Sequence, residues 1–196
     1  MVRRMAYGIS MAFFAAAVGG CGASAPARFY TLDSTAVPEG APAASYAVAV
    51  GPVSVPASVD RPQLVVQVAP NRVAFDEFNR WAAPLDDGIA RAVAGNLAVL
   101  LGTPRVATAP ASFDPAYRVT IDVQRFESVP GKEVLVEAVW AVRRSAGGAA
   151  RSGRTFAREP VGSEGVDALA AAHSRALAQV SRDIAAAIRV EAAAKP

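Results

Sequence analysis

The chain has 196 residues, of which 20 are basic and 17 acidic, and it contains one cysteine and one histidine. A zinc site normally takes several Cys or His ligands, so this composition argues against a zinc centre. The sequence shows no basic stripe with interleaved aromatic residues, which argues against a partner made of nucleic acid.

The first 20 residues are typical of a secretory signal. Arg3 and Arg4 precede an uncharged apolar run of about 14 residues, 5–18, which is shorter than the roughly 20 residues of a membrane-spanning helix. The sequence VGGC at 18–21 resembles a bacterial lipobox. That resemblance implies cleavage before Cys21, which would then carry a diacylglycerol thioether and an N-acyl chain and need no other cofactor. The alternative is a secretory signal without lipid and an incidental cysteine.

The mature chain is predicted to have a tether followed by one domain. Residues 22–45 are rich in Ala, Pro, Ser and Gly and are predicted to form a tether with an extended length of roughly 80 Å. Within it, the tetrad at 29–32 favours β structure, either as a short edge strand packed back on the domain or as a partner contact. The domain is predicted to cover 46–196. Removal of the two leader arginines leaves 18 basic and 17 acidic residues, so the predicted mature charge is about +1.

The first half of the domain is predicted to contain three strands and a helix. Alternating apolar residues indicate strands at 46–50, 64–68 and 72–75, the last two forming a hairpin around Pro70-Asn71. A helix is predicted from about Leu85 to Leu101, because apolar residues recur at helical spacing, Pro84 suits its first turn and Gly102 suits its end.

The second half is predicted to contain further strands and a long helix. A short strand at Val106 is followed by an alternating strand at 117–124 and by an apolar, interior strand at 133–142. A further strand is expected at 154–159 and a helix at about 164–190. The pattern predicts a single α/β domain, in two or three layers, with a mixed β-sheet of about five to six strands and two main helices.

Several motifs together resemble the PqiC family, the ABC-type transport auxiliary lipoprotein component. They are FYTL at 29–32, VDRPQLV at 59–65, FNRW at 78–81 with Pro84-Leu85, Asn96-Leu97 through Leu101-Gly102, and the helix 177–188. The resemblance implies an outer-membrane lipoprotein that faces the periplasm and works with MCE-domain proteins, which bridge the envelope and move lipid between membranes. It also implies a homo-oligomeric ring in some members and no catalytic residues.

The candidate partner-binding residues are Tyr30, Arg61, Arg80 and Trp81. Tyr30 belongs to the β-prone tetrad. Arg61 could bind a partner or form an ion pair with Asp60 that braces a turn. Arg80 and Trp81 are residue types enriched at interfaces, although Trp81 is better explained as a clamp between the helix start and the sheet.

An enzyme is the least supported class of function. The only histidine, His173, lies on an apolar helix face and is interpreted as a core residue rather than a catalytic base or a ligand. The sequence contains no Gly-x-Ser-x-Gly elbow and no Walker loop. The leading hypothesis is therefore a tethered adaptor for an MCE-type transporter. The alternatives are a lipoprotein that carries lipid in its own apolar cavity and a structural envelope lipoprotein.

Overall fold

Residues 25–194 are described by the computed structural model, and they form eight strands and two helices. The strands are β1 (Arg28–Tyr30), β2 (Val48–Ser54), β3 (Gln63–Ala69), β4 (Arg72–Trp81), β5 (Val106–Thr108), β6 (Tyr117–Val129), β7 (Glu133–Arg144) and β8 (Arg151–Pro160). The helices are α1 (Leu85–Leu101) and α2 (Val166–Ala193). The predicted α/β class with two main helices is confirmed. The signal peptide and Cys21 lie outside the described residues.

The larger sheet has five strands in the order β5-β2-β6-β7-β8. β2 runs parallel to both β5 and β6, whereas β6, β7 and β8 are antiparallel neighbours. The predicted interior strand is β7, which pairs with a strand on each side. Along β6, Val119 and Ile121 are buried while Arg118 and Thr120 are exposed. This alternation shows that the helices cover one face of the sheet.

Both helices pack on that face and fill the space above it. α1 begins after Pro84, carries two aspartates in its first turn, and ends at Gly102, whose φ of 63° lies in the left-handed region. The bounds predicted for α1 are therefore confirmed. The core consists of large aliphatic side chains that are fully buried, each contributing roughly 1.5–3 kcal/mol. They include Ile89, Leu97, Leu101, Leu169, Leu177, Ile184 and Ile188.

The predicted hairpin belongs to a second sheet of three strands, ordered β1-β4-β3. β4 is longer than expected and continues to Trp81, because the residues just before α1 remain extended and pair with β1 in parallel. The pairing of β3 with β4 shifts between Gln63 and Leu64, so that β4 bulges over 77–79. The edge-strand interpretation of the 29–32 tetrad is confirmed by β1.

The segment that follows β1, residues 31–45, crosses the helix layer and is called the strap below. Leu32 is buried in the core, and the N–H of Ala44 donates to the carbonyl of Leu101 at 2.8 Å. The tether predicted for 22–45 therefore packs on the fold from Arg28 onward. Its Ala, Ser and Pro composition was misleading, because small residues also suit a chain lying flat on helices. Within 25–194, neither helix is long and apolar enough to span a bilayer.

Candidate functional site

The strap is held to α1 by one buried amide. Asn96 is fully buried, and its Oδ1 accepts three hydrogen bonds from the strap. The donors are the hydroxyl of Ser34 at 3.0 Å and the backbone N–H groups of Thr35 and Ala36, both at 2.9 Å. A single side chain thus satisfies two backbone donors of an irregular segment that would otherwise need water.

The strap is also held to α2. The N–H of Asp33 donates to the hydroxyl of Ser174 at 3.1 Å, and the hydroxyl of Thr35 donates to the carbonyl of Ser174 at 3.2 Å. Ser174 is itself fixed, because its hydroxyl donates to the carbonyl of Ala170 at 3.0 Å. The strap therefore joins both helices immediately after β1.

A glycine in α1 makes this close approach possible. A Cβ built on Gly95 would lie 2.9 Å from the Cβ of Ser34, which is closer than real Cβ atoms come. Glycine in a helix interior costs roughly 1 kcal/mol relative to alanine. At this position the missing side chain leaves room for the strap beside Asn96.

The four residues predicted to bind a partner lie together at one corner of the molecule. Tyr30 is opposite Trp81 in the pairing of β1 with β4, and Arg80 is the preceding residue of β4. The N–H of Trp81 donates to the carbonyl of Pro62 at 2.7 Å, which places Arg61 beside it. Sequence reasoning therefore selected a genuine spatial cluster.

Two members of the cluster have structural roles. Trp81 is 7% exposed and packs edge-to-face on Phe126, with ring centroids 6.1 Å apart. Tyr30 is 9% exposed, and its hydroxyl donates to Oδ1 of Asn79 at 2.8 Å. The hypothesis that these two rings contact a partner directly is corrected, because the sheet packing leaves little of either ring accessible. The interpretation of Trp81 as a clamp agrees with the structure.

The two arginines of the cluster are half-buried at the surface. Nε of Arg80 donates to the carbonyl of Glu77 at 3.0 Å, and its guanidinium lies 3.7 Å from the Glu77 carboxylate. The guanidinium of Arg61 lies 4.0 Å over the ring of Phe75. The predicted ion pair between Arg61 and Asp60 is wrong, because within residues 25–194 the Arg61 cation is placed on an aromatic face instead.

Arg61 also borders a surface groove of about 370 Å³. The groove is lined by Asp60, Arg61, Pro62, Trp81 and residues 82–85. Nε of Arg61 is buried and has no hydrogen-bond partner, and none of the ion pairs in the described part of the chain includes this residue. The groove thus presents a guanidinium that has no ion-pair partner among residues 25–194, beside several apolar side chains, which suits an acidic or carbonyl group of a partner.

His173 lies in the core, as predicted. Its Nε2 is 2.8 Å from the hydroxyl of Ser128, and its ring stacks on Phe126 with centroids 3.9 Å apart. Complete burial lowers the pKa of His173 from 6.5 to about 3, so the imidazole is neutral at ordinary pH. A neutral imidazole without access to the surface has no route to a substrate.

The comparisons with known proteins agree with this architecture. A family model described as the ABC-type transport auxiliary lipoprotein component matches residues 30–185. The chain belongs to this family of auxiliary lipoproteins. The resemblance drawn from the sequence motifs is thereby confirmed, and the match begins inside β1, so the family domain includes the whole strap. No curated protein matches the chain.

Solved structures support the same fold. A crystal structure of a Xanthomonas campestris protein described as family DUF330 is 21% identical, with a TM-score of 0.69, over 85% of this chain and 100% of that one. A crystal structure of an uncharacterized protein is 19% identical, with a TM-score of 0.68, over 84% and 99%. A PelC dodecamer from Paraburkholderia phytofirmans is 15% identical over 78% and 90%, and its TM-score of 0.41 supports no argument about assembly.

Sequence reasoning missed the residues that hold the strap. Asn96 and Ser174 are polar residues on otherwise apolar helix faces, next to Leu97 and His173. A buried polar side chain needs a partner, so their positions alone could have indicated a segment packed across the auxiliary lipoprotein's helices.

Proposed function

We propose that this auxiliary lipoprotein is a non-catalytic adaptor of an MCE-type lipid transporter. Acyl chains on Cys21 would hold it on the periplasmic face of the outer membrane. Two or more acyl chains anchor a protein stably, whereas one is marginal. The observation that carries the proposal is the strap, because it fastens the segment following Cys21 to both helices. Such an attachment suits a subunit that works by position.

The proposed docking site for the MCE-domain protein is the groove beside Arg61, together with Arg80. Both arginines are half-buried, and arginine at the edge of an apolar groove is a frequent determinant of interface affinity. The docking protein would supply acidic and apolar side chains. Assembly of several copies into a ring, as implied by the PqiC resemblance, would present several such grooves to one transporter.

The lipid-carrier alternative gains no support from the described interior. Its core is filled by aliphatic side chains, as the fully buried Leu97, Leu177 and Ile188 show. A larger cavity of about 510 Å³ lies at the loop between β7 and β8, but its lining includes the charged residues Arg144, Arg151 and Glu191. A carrier would need an enclosed apolar volume for acyl chains.

The anchor is tested by Cys21→Ala in the native host. Wild-type chain is expected to incorporate labelled fatty acid and to remain with membranes, whereas the variant is expected to lose both properties and keep its circular dichroism spectrum. Wild-type chain that takes up no fatty acid, or a variant that stays fully membrane-bound, would contradict the anchor.

Docking is tested by co-purification from native membranes. Arg61→Gln is expected to reduce recovery of a periplasm-spanning MCE protein. The matched control is Arg118→Gln, since Arg118 is an exposed arginine on β6, away from the groove. Equal recovery with both variants would place the docking surface elsewhere, and absence of any MCE protein from the wild-type sample would refute the adaptor.

A further inference from the structure

The three-stranded sheet turns one face away from the core. Side chains alternate along a strand, so Gln63, Val65 and Gln67 of β3 share one face, and the buried Leu64 shows that this face points outward. Cross-strand partners share a face as well. Phe75 is opposite Val65.

The same pairing extends this face across all three strands. Val73 of β4 is opposite Gln67, and Arg80 is opposite both Gln63 of β3 and Phe29 of β1. Phe29, Val73 and Phe75 therefore lie on one surface, called the outer face of the three-stranded sheet below.

The outer face is accessible and carries large apolar side chains among the polar residues Gln63, Gln67 and Arg80. Phe29 is 65% exposed, Val73 53% and Phe75 47%. Single exposed apolar residues are common on soluble domains, but large apolar side chains from neighbouring strands on one face mark an interaction surface. Two exposed arginines, Arg28 and Arg72, flank it.

The position of the proposed acyl anchor indicates which surface the outer face contacts. β1 begins at Arg28, seven positions after Cys21 (28 − 21), and seven residues reach at most about 25 Å. A domain of this size is about 40 Å across. If Cys21 is acylated, as the proposed function requires, β1 cannot lie on the far side of the domain from the membrane.

We propose that the outer face of the three-stranded sheet rests on the lipid surface. Phe29, Val73 and Phe75 contact the boundary between headgroups and acyl chains, and Arg28 and Arg72 contact lipid phosphates. The acyl chains supply the attachment and this face supplies the orientation. The groove beside Arg61 borders the same sheet, so a docked transporter would contact this protein close to the membrane surface.

The experiment places a fluorophore on each side of the domain. Acylation blocks the thiol of the only cysteine, so Phe75→Cys gives a single labelling site in the lipidated full-length product. Phe156→Cys is the matched control, because Phe156 is 52% exposed and lies on β8 of the other sheet. Both proteins are labelled with an environment-sensitive dye and reconstituted in phosphatidylethanolamine–phosphatidylglycerol vesicles containing a nitroxide-headgroup lipid.

The dye at position 75 is expected to lose most of its emission to the nitroxide, and the dye at position 156 to keep nearly all of it. Phe29→Cys is expected to behave like Phe75→Cys. Unchanged circular dichroism confirms that each labelled variant is folded. Equal quenching at positions 75 and 156, or quenching at neither, would overturn the proposed orientation.

Two further outcomes separate this proposal from others. If wild-type protein itself takes up the dye, the Cys21 thiol is free and the acyl anchor of the proposed function fails. In the other outcome, wild-type protein stays unlabelled, and the emission of the dye at position 75 changes with the protein-to-lipid ratio but is not quenched by the nitroxide lipid. A second copy of the chain then covers the outer face, and the membrane contact is refuted.

Discussion

Replacement of His173 should remove a defined part of the acid sensitivity of the fold. The imidazole is surrounded by Ser128, Phe126 and Trp81, none of which carries a charge. Protonation would bury a cation and add an N–H at a ring that has one hydrogen-bond partner, because Nδ1 is buried without any. The folded state therefore resists protonation, whereas the unfolded chain does not.

The magnitude follows from proton linkage. The pKa of His173 is about 3 in the fold and 6.5 in the unfolded chain, so between these values the unfolded state binds more protons and stability falls as pH falls. Each unit corresponds to 1.36 kcal/mol. The contribution lost is about 2 kcal/mol at about pH 5 and about 4 kcal/mol at about pH 3.

The assay compares the free energy of unfolding in urea at about pH 7.5 and about pH 5 for wild type and His173→Gln. The variant loses the ring stack and is expected to be less stable at neutral pH, but its drop toward acid should be smaller by about 2 kcal/mol. Ser128→Ala keeps the imidazole and is expected to keep the wild-type drop. If wild type and His173→Gln lose the same stability between the two pH values, the argument from burial is wrong.

Two other substitutions test how the strap and the large sheet are held. Asn96→Ala removes the acceptor of three strap donors, so it should lower the free energy of unfolding by about 2–3 kcal/mol and expose the strap to limited proteolysis. Ser34→Ala removes one donor and should cost about 1 kcal/mol. An Asn96→Ala chain as stable and protease-resistant as wild type would refute the role of this amide. Gly153→Ala would drive a Cβ into the indole of Trp140 and should lower the free energy of unfolding by about 1–3 kcal/mol. Gly162→Ala is the control, because a Cβ there meets nothing within 4 Å, and it should change that free energy little. Equal effects of the two substitutions would mean that the indole adjusts freely.

The helices were predictable because their signals are local. The apolar spacing from Leu85 to Leu101, the proline before it and Gly102 after it all lie within one short segment. The burial of His173 followed similarly from its position on an apolar helix face. The pattern of strands alone leaves their pairing open.

The division into two sheets and the course of the strap were not predictable in this way. β4 carries exposed Val73 and Phe75 among charged residues, so its alternation does not reveal that it continues to Trp81. The strap depends on Asn96 and Ser174, which are 60 and 141 positions from the strap residues they hold. A polar residue on an apolar helix face can indicate that some segment packs there, but local sequence does not identify which distant segment it is. The composition of the strap is the same as that of a free tether.

Under the proposed function, the packing of the chain from β1 onward limits how far the domain can stand from its anchor. A free tether over 22–45 would allow the domain to stand roughly 80 Å from its anchor, and an adaptor of that kind could search for a partner across the periplasm. Because the chain is fastened from Arg28 onward, the reach from Cys21 falls to at most about 25 Å, less than the width of the domain itself. Asn96 holds residues 34–36, which follow β1, so cutting its bonds leaves β1 paired with β4 and leaves this reach unchanged. Under the proposed function, a transporter that docks this protein must therefore come to the membrane surface, and the pairing of β1 with β4 sets this limit.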